Sequence, residues 1–182
     1  AVTLGLFAVS EVLVNTKKLR EDSLGTILEH RIYIKFSEFV ESIGSIFRGG
    51  TIGFLIGVLP GAGAGIASFV SYSIERQIHR TPDKFGSGVI QGVAGPESAN
   101  NAASTGSFVP MLALGVPGSA TTAVMLGAFL ILDIDAGPLM FQERPDIIWS
   151  LIAALYIGNI ILLVLNLPMI GVFVQILKMP MR

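Results

Sequence analysis

The chain has 182 residues, 52% of them hydrophobic and 14% charged, with mean hydropathy +0.71 and a net charge of −1. A soluble domain carries roughly 25% charged residues, so this composition belongs in a lipid bilayer, and the near-neutral charge argues against nucleic acid as partner. With no cysteine, disulfides, thiol catalysis and thiolate metal centres are excluded too.

Residues 1–182 read as a single all-α integral membrane domain. Ala1 to Val14 is apolar but shorter than the roughly 20 residues a span requires, and no basic start or cleavage site marks a signal peptide. It is expected to be the end of a transmembrane helix that begins outside this sequence. Residues 15–48 read as a cytoplasmic loop, because Lys17, Lys18, Arg20, Arg31 and Lys35 favour the inner side. The loop ends in a short amphipathic helix, with Phe36, Phe39, Val40, Ile43, Ile46 and Phe47 on one face and Ser37, Glu38, Glu41 and Ser45 on the other. Such a helix either lies in the membrane interface or packs as an ordinary helix.

Residues 49–74 form a charge-free run broken at Leu59-Pro60-Gly61-Ala62-Gly63-Ala64-Gly65. Pro60 removes a backbone donor and blocks the helix behind it, and Leu59 is pushed out of the helical region. The run either spans once or returns as a hairpin; basic residues on both flanks, Arg48 before and Arg76, Arg80 and Lys84 after, favour the hairpin. Thr81-Pro82-Asp83 is a turn with a helix start. Gly95-Pro96-Glu97-Ser98 reads as another, with Pro in the first turn and Glu97 at the positive end. Residues 98–132 form the second broken run, interrupted by Pro110 and again at Val116-Pro117-Gly118-Ser119-Ala120-Thr121-Thr122. Residues 147–177 form the C-terminal membrane helix region, complete from Ile147 to Leu167 and broken at Asn166-Leu167-Pro168, with Trp149 and Tyr156 as interface or packing aromatics.

A break at membrane depth leaves N–H and C=O groups without helical partners, which is tolerated only against protein or a wet cavity. Two such breaks in one chain point to a transporter. The Gly61–Gly65 run does not fit a dinucleotide loop, because position 66 is Ile, Pro60 stands where a strand would end, and the nearest Asp, Asp83, belongs to a turn. Backbone N–H groups at the helix start after Pro60 suit a carboxylate or other anion; the alternative is close helix packing through small residues. Gly61, Ala62, Gly63, Ala64, Gly118 and Ser119, with the adjacent amides of Asn100 and Asn101, are therefore the candidate substrate-binding residues. Asn101, Ser119, Thr121 and Thr122 are candidate ligands for a small hard cation such as sodium. Asn159 and Asn166 read as helix–helix contacts, and His30 and His79 as solvated loop residues. No His–Glu cluster or Ser/His/Asp set can be assembled, so neither catalysis nor a cofactor is expected.

Several stretches together resemble the large membrane subunit of tripartite tricarboxylate transporters (TctA type). They are Gly53 to Ala64 with Ala67 to Tyr72, Gly92 to Ala102, Leu114 to Ser119, Tyr156-Ile157-Gly158-Asn159 and Leu165-Asn166-Leu167-Pro168. Gly95 departs from the residue usual in that family, a change read as neutral. The resemblance implies a multi-pass subunit of a bacterial inner-membrane secondary transporter for citrate-like carboxylates. It also implies a small membrane subunit and a periplasmic solute-binding protein as partners, and a sodium or other cation gradient as driving force. The chain would form one half of an inverted-repeat pair, with the substrate site between the halves. A channel-like or structural membrane module, in which the small residues serve packing alone, is the alternative.

Overall fold

The computed structural model describes residues 34–177, with side chains described as far as residue 171. The helix end expected over 1–14, most of the loop expected over 15–48, His30, and the chain end with Lys178 and Arg182 lie outside the described residues. Every regular element within them is helical: α1 (Phe36–Val58), α2 (Gly63–Ile78), a 3₁₀ turn (Pro82–Lys84), α3 (Gln91–Gly106), α4 (Phe108–Leu114), α5 (Ala120–Ile131), α6 (Met140–Glu143) and α7 (Pro145–Leu177).

Helix α1 starts where the Glu38 carboxylate accepts the Lys35 N–H at 2.8 Å, satisfying a donor the helix itself cannot. It ends where Leu59, before Pro60, turns extended (φ −80°, ψ 118°), as steric pressure from the proline ring requires. The interfacial helix expected over 36–47 and the first arm of the broken run are thus one continuous helix. Its packing is the reverse of the ordinary packed helix, one of the two expectations for this stretch. Ser42, Ser45, Gly49, Gly53 and Gly57 are the buried residues, while Phe36 is 81% and Phe47 74% exposed. Water-soluble helices bury their large apolar side chains; a helix among lipids has no such drive and packs through its small ones.

What that small face meets is α3. A Cβ added at Gly49, Gly53 or Gly57 would fall on the backbone carbonyl of Gly95, Ala99 or Ala103 respectively. The matched steps of four show α1 and α3 running parallel, backbone against backbone. Ala67 of α2 joins Ala99 and Ala103 in the buried contact. Helix α2 runs back along α1, since Arg48 reaches Glu75 across the hairpin. A second cluster, Met111, Leu112, Phe129, Ile134, Met140 and Ile148, holds α4 to α7 together.

Three proline expectations are corrected. Helix α3 begins at Gln91, so Pro96 lies inside it and Glu97 caps nothing. The proline forgoes the N–H that would have bonded the Gly92 carbonyl, and the neighbouring turns carry the helix past it. Pro110 occupies the first turn of α4, where its missing donor has no helical acceptor anyway. The interruption falls instead at Ser107 and again at Gly115 to Ser119. Pro168 lies inside α7 without ending it.

Helices α1 (Phe36–Val58) and α7 (Pro145–Gly171) are long and apolar enough to cross a membrane. Along α7 the apolar side chains from Ile157 to Leu165 are exposed, a surface suited to lipid or to further protein.

Candidate functional site

The two Pro-Gly breaks meet. The Gly61 N–H donates to the Gly118 carbonyl at 3.3 Å, and a cavity of about 660 Å³ opens beside this bond. Each side of it follows from local sequence. Gly61 (φ +83°) and Gly63 (φ +72°) hold left-handed conformations that a side chain would strain, and they turn the chain so that α2 begins at the cavity. Gly115, at φ +68°, closes α4, its N–H on the Met111 carbonyl and the Val116 N–H on that of Pro110. The chain then passes through Pro117 and Gly118 to Ser119, the N-cap of α5.

Ser119 Oγ accepts the Thr122 N–H at 3.2 Å, and Thr122 Oγ1 accepts the Ser119 N–H at 2.8 Å. This reciprocal cap leaves the N–H groups of Ala120 and Thr121 without helical partners at the cavity wall. Gly63 and Ala64 stand in the same relation to α2. Two positive helix ends therefore face one cavity, whose lining contains no charged side chain. Ser104 and Ser107 of the α3–α4 joint complete the wall. Ser107 Oγ donates to the Ser104 carbonyl at 2.7 Å and lies 3.3 Å from Ser119 Oγ.

Of the residues singled out in the sequence, Gly61, Gly63, Ala64, Gly118, Ser119 and Thr121 line the cavity together. Ala62 does not; its N–H bonds the Leu59 carbonyl. Thr122 is fully buried and its hydroxyl is engaged in the cap, a role its spacing from Ser119 signals. Asn100 and Asn101 are exposed on α3 outside the lining. Asn100 nevertheless shares the face of Ser104 one turn on, its carbonyl accepting the Ser104 hydroxyl at 3.0 Å. Asn159 turns back on its own helix, donating to the Leu155 carbonyl at 2.8 Å. His79 Nδ1 accepts the Thr81 N–H at 3.1 Å, in an exposed turn. Ser104 and Ser107 went unremarked in the sequence, although their spacing of three puts both on one helix face.

Also unremarked was a buried polar cluster at the other end of the hairpin. Arg48 Nε and Nη2 each donate to one oxygen of Glu75 at 2.8 Å, the bidentate geometry of a strong pair. Glu75 is 1% exposed. Ser45 Oγ donates to the Gln91 carbonyl at 3.2 Å, and Gln91 Nε2 donates to Glu41. Ser71 Oγ, one turn before Glu75, is buried without a hydrogen-bond partner among the described residues.

Because the Ser119 cap shapes the cavity wall, Ser119→Ala is expected to destabilise α5 by about 1 kcal/mol. Ser119→Asn, which can cap, should recover most of that. Thermal unfolding of the two purified variants checks this, and equal midpoints would remove the capping role.

The model of the Tripartite tricarboxylate transporter TctA family matches residues 1–182. Two relatives come from Agrobacterium vitis. The uncharacterized 52.8 kDa protein in TAR-I ttuC' 3'region is 40% identical over 182 residues, covering 100% of this chain and 36% of that protein. The uncharacterized protein in TAR-II ttuC' 3'region is 49% identical over 130 residues, covering 71% of this chain and 54% of its own length. The chain thus spans about a third to a half of the curated relatives it matches. No solved structure matches it. The match along the whole chain, with 40% identity to a relative over its full length, places it in the tripartite tricarboxylate transporter TctA family.

Proposed function

We propose that this chain contributes half of the substrate site of a secondary transporter that takes up tricarboxylates or related carboxylates across the bacterial inner membrane. The observation that carries the proposal is the cavity where the two breaks meet, bounded by the starts of α2 and α5 and free of charged side chains. A carboxylate placed there would accept the free N–H groups of both helix starts, with the dipoles favouring its charge. The hydroxyls of Ser104, Ser119 and Thr121 add donors or, toward a coupling ion such as sodium, acceptors. Asn100 and Asn101, exposed beside the wall, would be available to the other half of an inverted-repeat pair.

Packing alone explains α1, whose glycines meet backbone, but it does not explain the break. Nothing lies within 4 Å of a Cβ added at Gly61, Gly63 or Gly65. Gly61 and Gly63 are required by their positive φ, but Gly65 is not, and the small residue there leaves space rather than fills it, which favours the transporter over a purely structural module.

A small membrane subunit and a periplasmic solute-binding protein are the partners the reading requires. The test is uptake of labelled citrate and other carboxylates by cells expressing the full-length protein with both partners. Accumulation should need the binding protein and collapse without a sodium gradient. No accumulation of any carboxylate would defeat the reading. Asn101→Ala should abolish uptake at unchanged membrane abundance; lower abundance with normal uptake per molecule would favour the structural module.

A further inference from the structure

We propose that Glu75, with Ser71 and Ser45, forms a cation site that Arg48 occupies in this structure and that a sodium ion or a proton occupies when Arg48 leaves. The inference rests on the transporter reading and gives it a coupling residue outside the substrate cavity.

The pair is asymmetric. The Arg48 side chain is 46% exposed and the Glu75 side chain 2%. The guanidinium is thus open on one side and can swing away from the pair, while the carboxylate is enclosed. The carboxylate cannot follow, and a buried carboxylate without a partner is strongly unfavourable. Departure of Arg48 therefore obliges Glu75 to take another positive charge. Of the elements packed on it, α1 presents Arg48 and, through Gln91, Glu41; α3 presents Gln91 and Gly95, and neither brings a second cation to it among the described residues.

Ligands for that replacement are already in place. Ser71 Oγ is fully buried and has no hydrogen-bond partner among the described residues, a condition buried hydroxyls rarely tolerate without a use. A Cβ at Gly95 would lie 2.7 Å from Ser45 Oγ, 2.9 Å from Glu75 Cγ and 3.3 Å from Ser71 Oγ. Three helices thus bring two hydroxyls and the Glu75 side chain, whose carboxylate oxygens now face Arg48, around one residue without a side chain; hydroxyl and carboxylate oxygens suit a small hard cation. An ionisable side chain buried in a membrane domain is a candidate for ion coupling by its energetics alone. A link to the substrate follows from the chain path: Arg48 and Glu75 stand on the two arms of the hairpin whose tip lines the cavity. Exchanging the pair for a bound cation changes what holds those arms together.

The test uses the full-length protein, purified and in liposomes with its partners. Arg48→Gln should make the thermal midpoint rise with sodium chloride over choline chloride, if the occupant is sodium, or with acidification at fixed sodium, if it is a proton. Glu75→Gln and the double variant Arg48→Gln/Glu75→Gln should show neither response beyond that of the native protein, and Ser71→Ala on the Arg48→Gln background should weaken it. In liposomes the double variant, whose neutral amides can still pair, should exchange internal for external substrate yet lose gradient-driven accumulation. Accumulation by the double variant under the same gradient as the native protein would overturn the proposal. So would an Arg48→Gln midpoint as indifferent to both cations as the double variant's. If the native protein accumulates no carboxylate at all, the transporter reading falls, while the midpoints still decide the cation site.

Discussion

Gly53→Val should prevent α1 from seating on α3 and so lose most of the folded protein from the membrane. The new Cβ would fall on the Ala99 carbonyl, with the Ala99 Cα and carbonyl carbon beside it. Backbone cannot turn aside as a side chain can, so the helices must separate along the whole Gly49-Gly53-Gly57 row. Overpacking commonly costs up to about 3 kcal/mol, and a forced backbone separation belongs at or above that end. The contrast is Gly65→Ala, where nothing lies within 4 Å of the added carbon. That change should stabilise α2 by about 0.5 to 1 kcal/mol through the conformational freedom glycine loses in a helix. Thermal unfolding in detergent and abundance of monodisperse protein measure both. If Gly53→Val were as stable as the native protein, the parallel crossing of α1 and α3 would be wrong.

Gly118→Ala should reduce carboxylate uptake at least tenfold while leaving the protein folded. An added Cβ would meet the Ser107 Cβ and carbonyl oxygen at 3.0 Å and its Cα at 3.1 Å. These contacts are too close to absorb without moving the second break away from the α3–α4 joint. Two things shift with it: the Gly118 carbonyl that receives the Gly61 N–H, and the Ser119 cap that aims the start of α5. The main helix crossings lie elsewhere, so abundance should hold. Ser107→Gly on the same background removes one of the three clashing atoms and should restore part of the uptake. Normal uptake by Gly118→Ala would detach the second break from the substrate path.

Local chemistry was legible without any structure. Pro60 after Leu59 ends α1, and Gly61 supplies the left-handed turn that follows. Ser119 with Thr122 is a reciprocal cap, although the sequence reading gave Thr122's hydroxyl to a cation instead. The family was legible too, because its motifs are long runs in a fixed order. Each of these signals is written in residues a few positions apart.

What the sequence could not decide depends on which surfaces meet. The larger side chains of α1 lie on one face, and periodicity leaves that face either in the membrane interface or packed against protein. The structure buries the opposite row of Ser and Gly instead, since among lipids close backbone approach, not burial of large side chains, drives packing. Pro96 and Pro168 are strong breakers locally, yet α3 and α7 run through them, each forgoing one hydrogen bond while neighbouring turns hold the helix. Asn100 and Asn101 stand beside the cavity wall rather than in it, because one helix turn decides which side chains face the second break. Arg48 and Glu75 are 27 residues apart, and nothing in either neighbourhood announces the other. By itself the sequence determined the two Pro-Gly breaks and the family the chain belongs to, since both are set by neighbours along the backbone. Only the tertiary structure decided that the breaks touch and that a buried carboxylate lies beneath them, because those contacts exist only once the helices have packed.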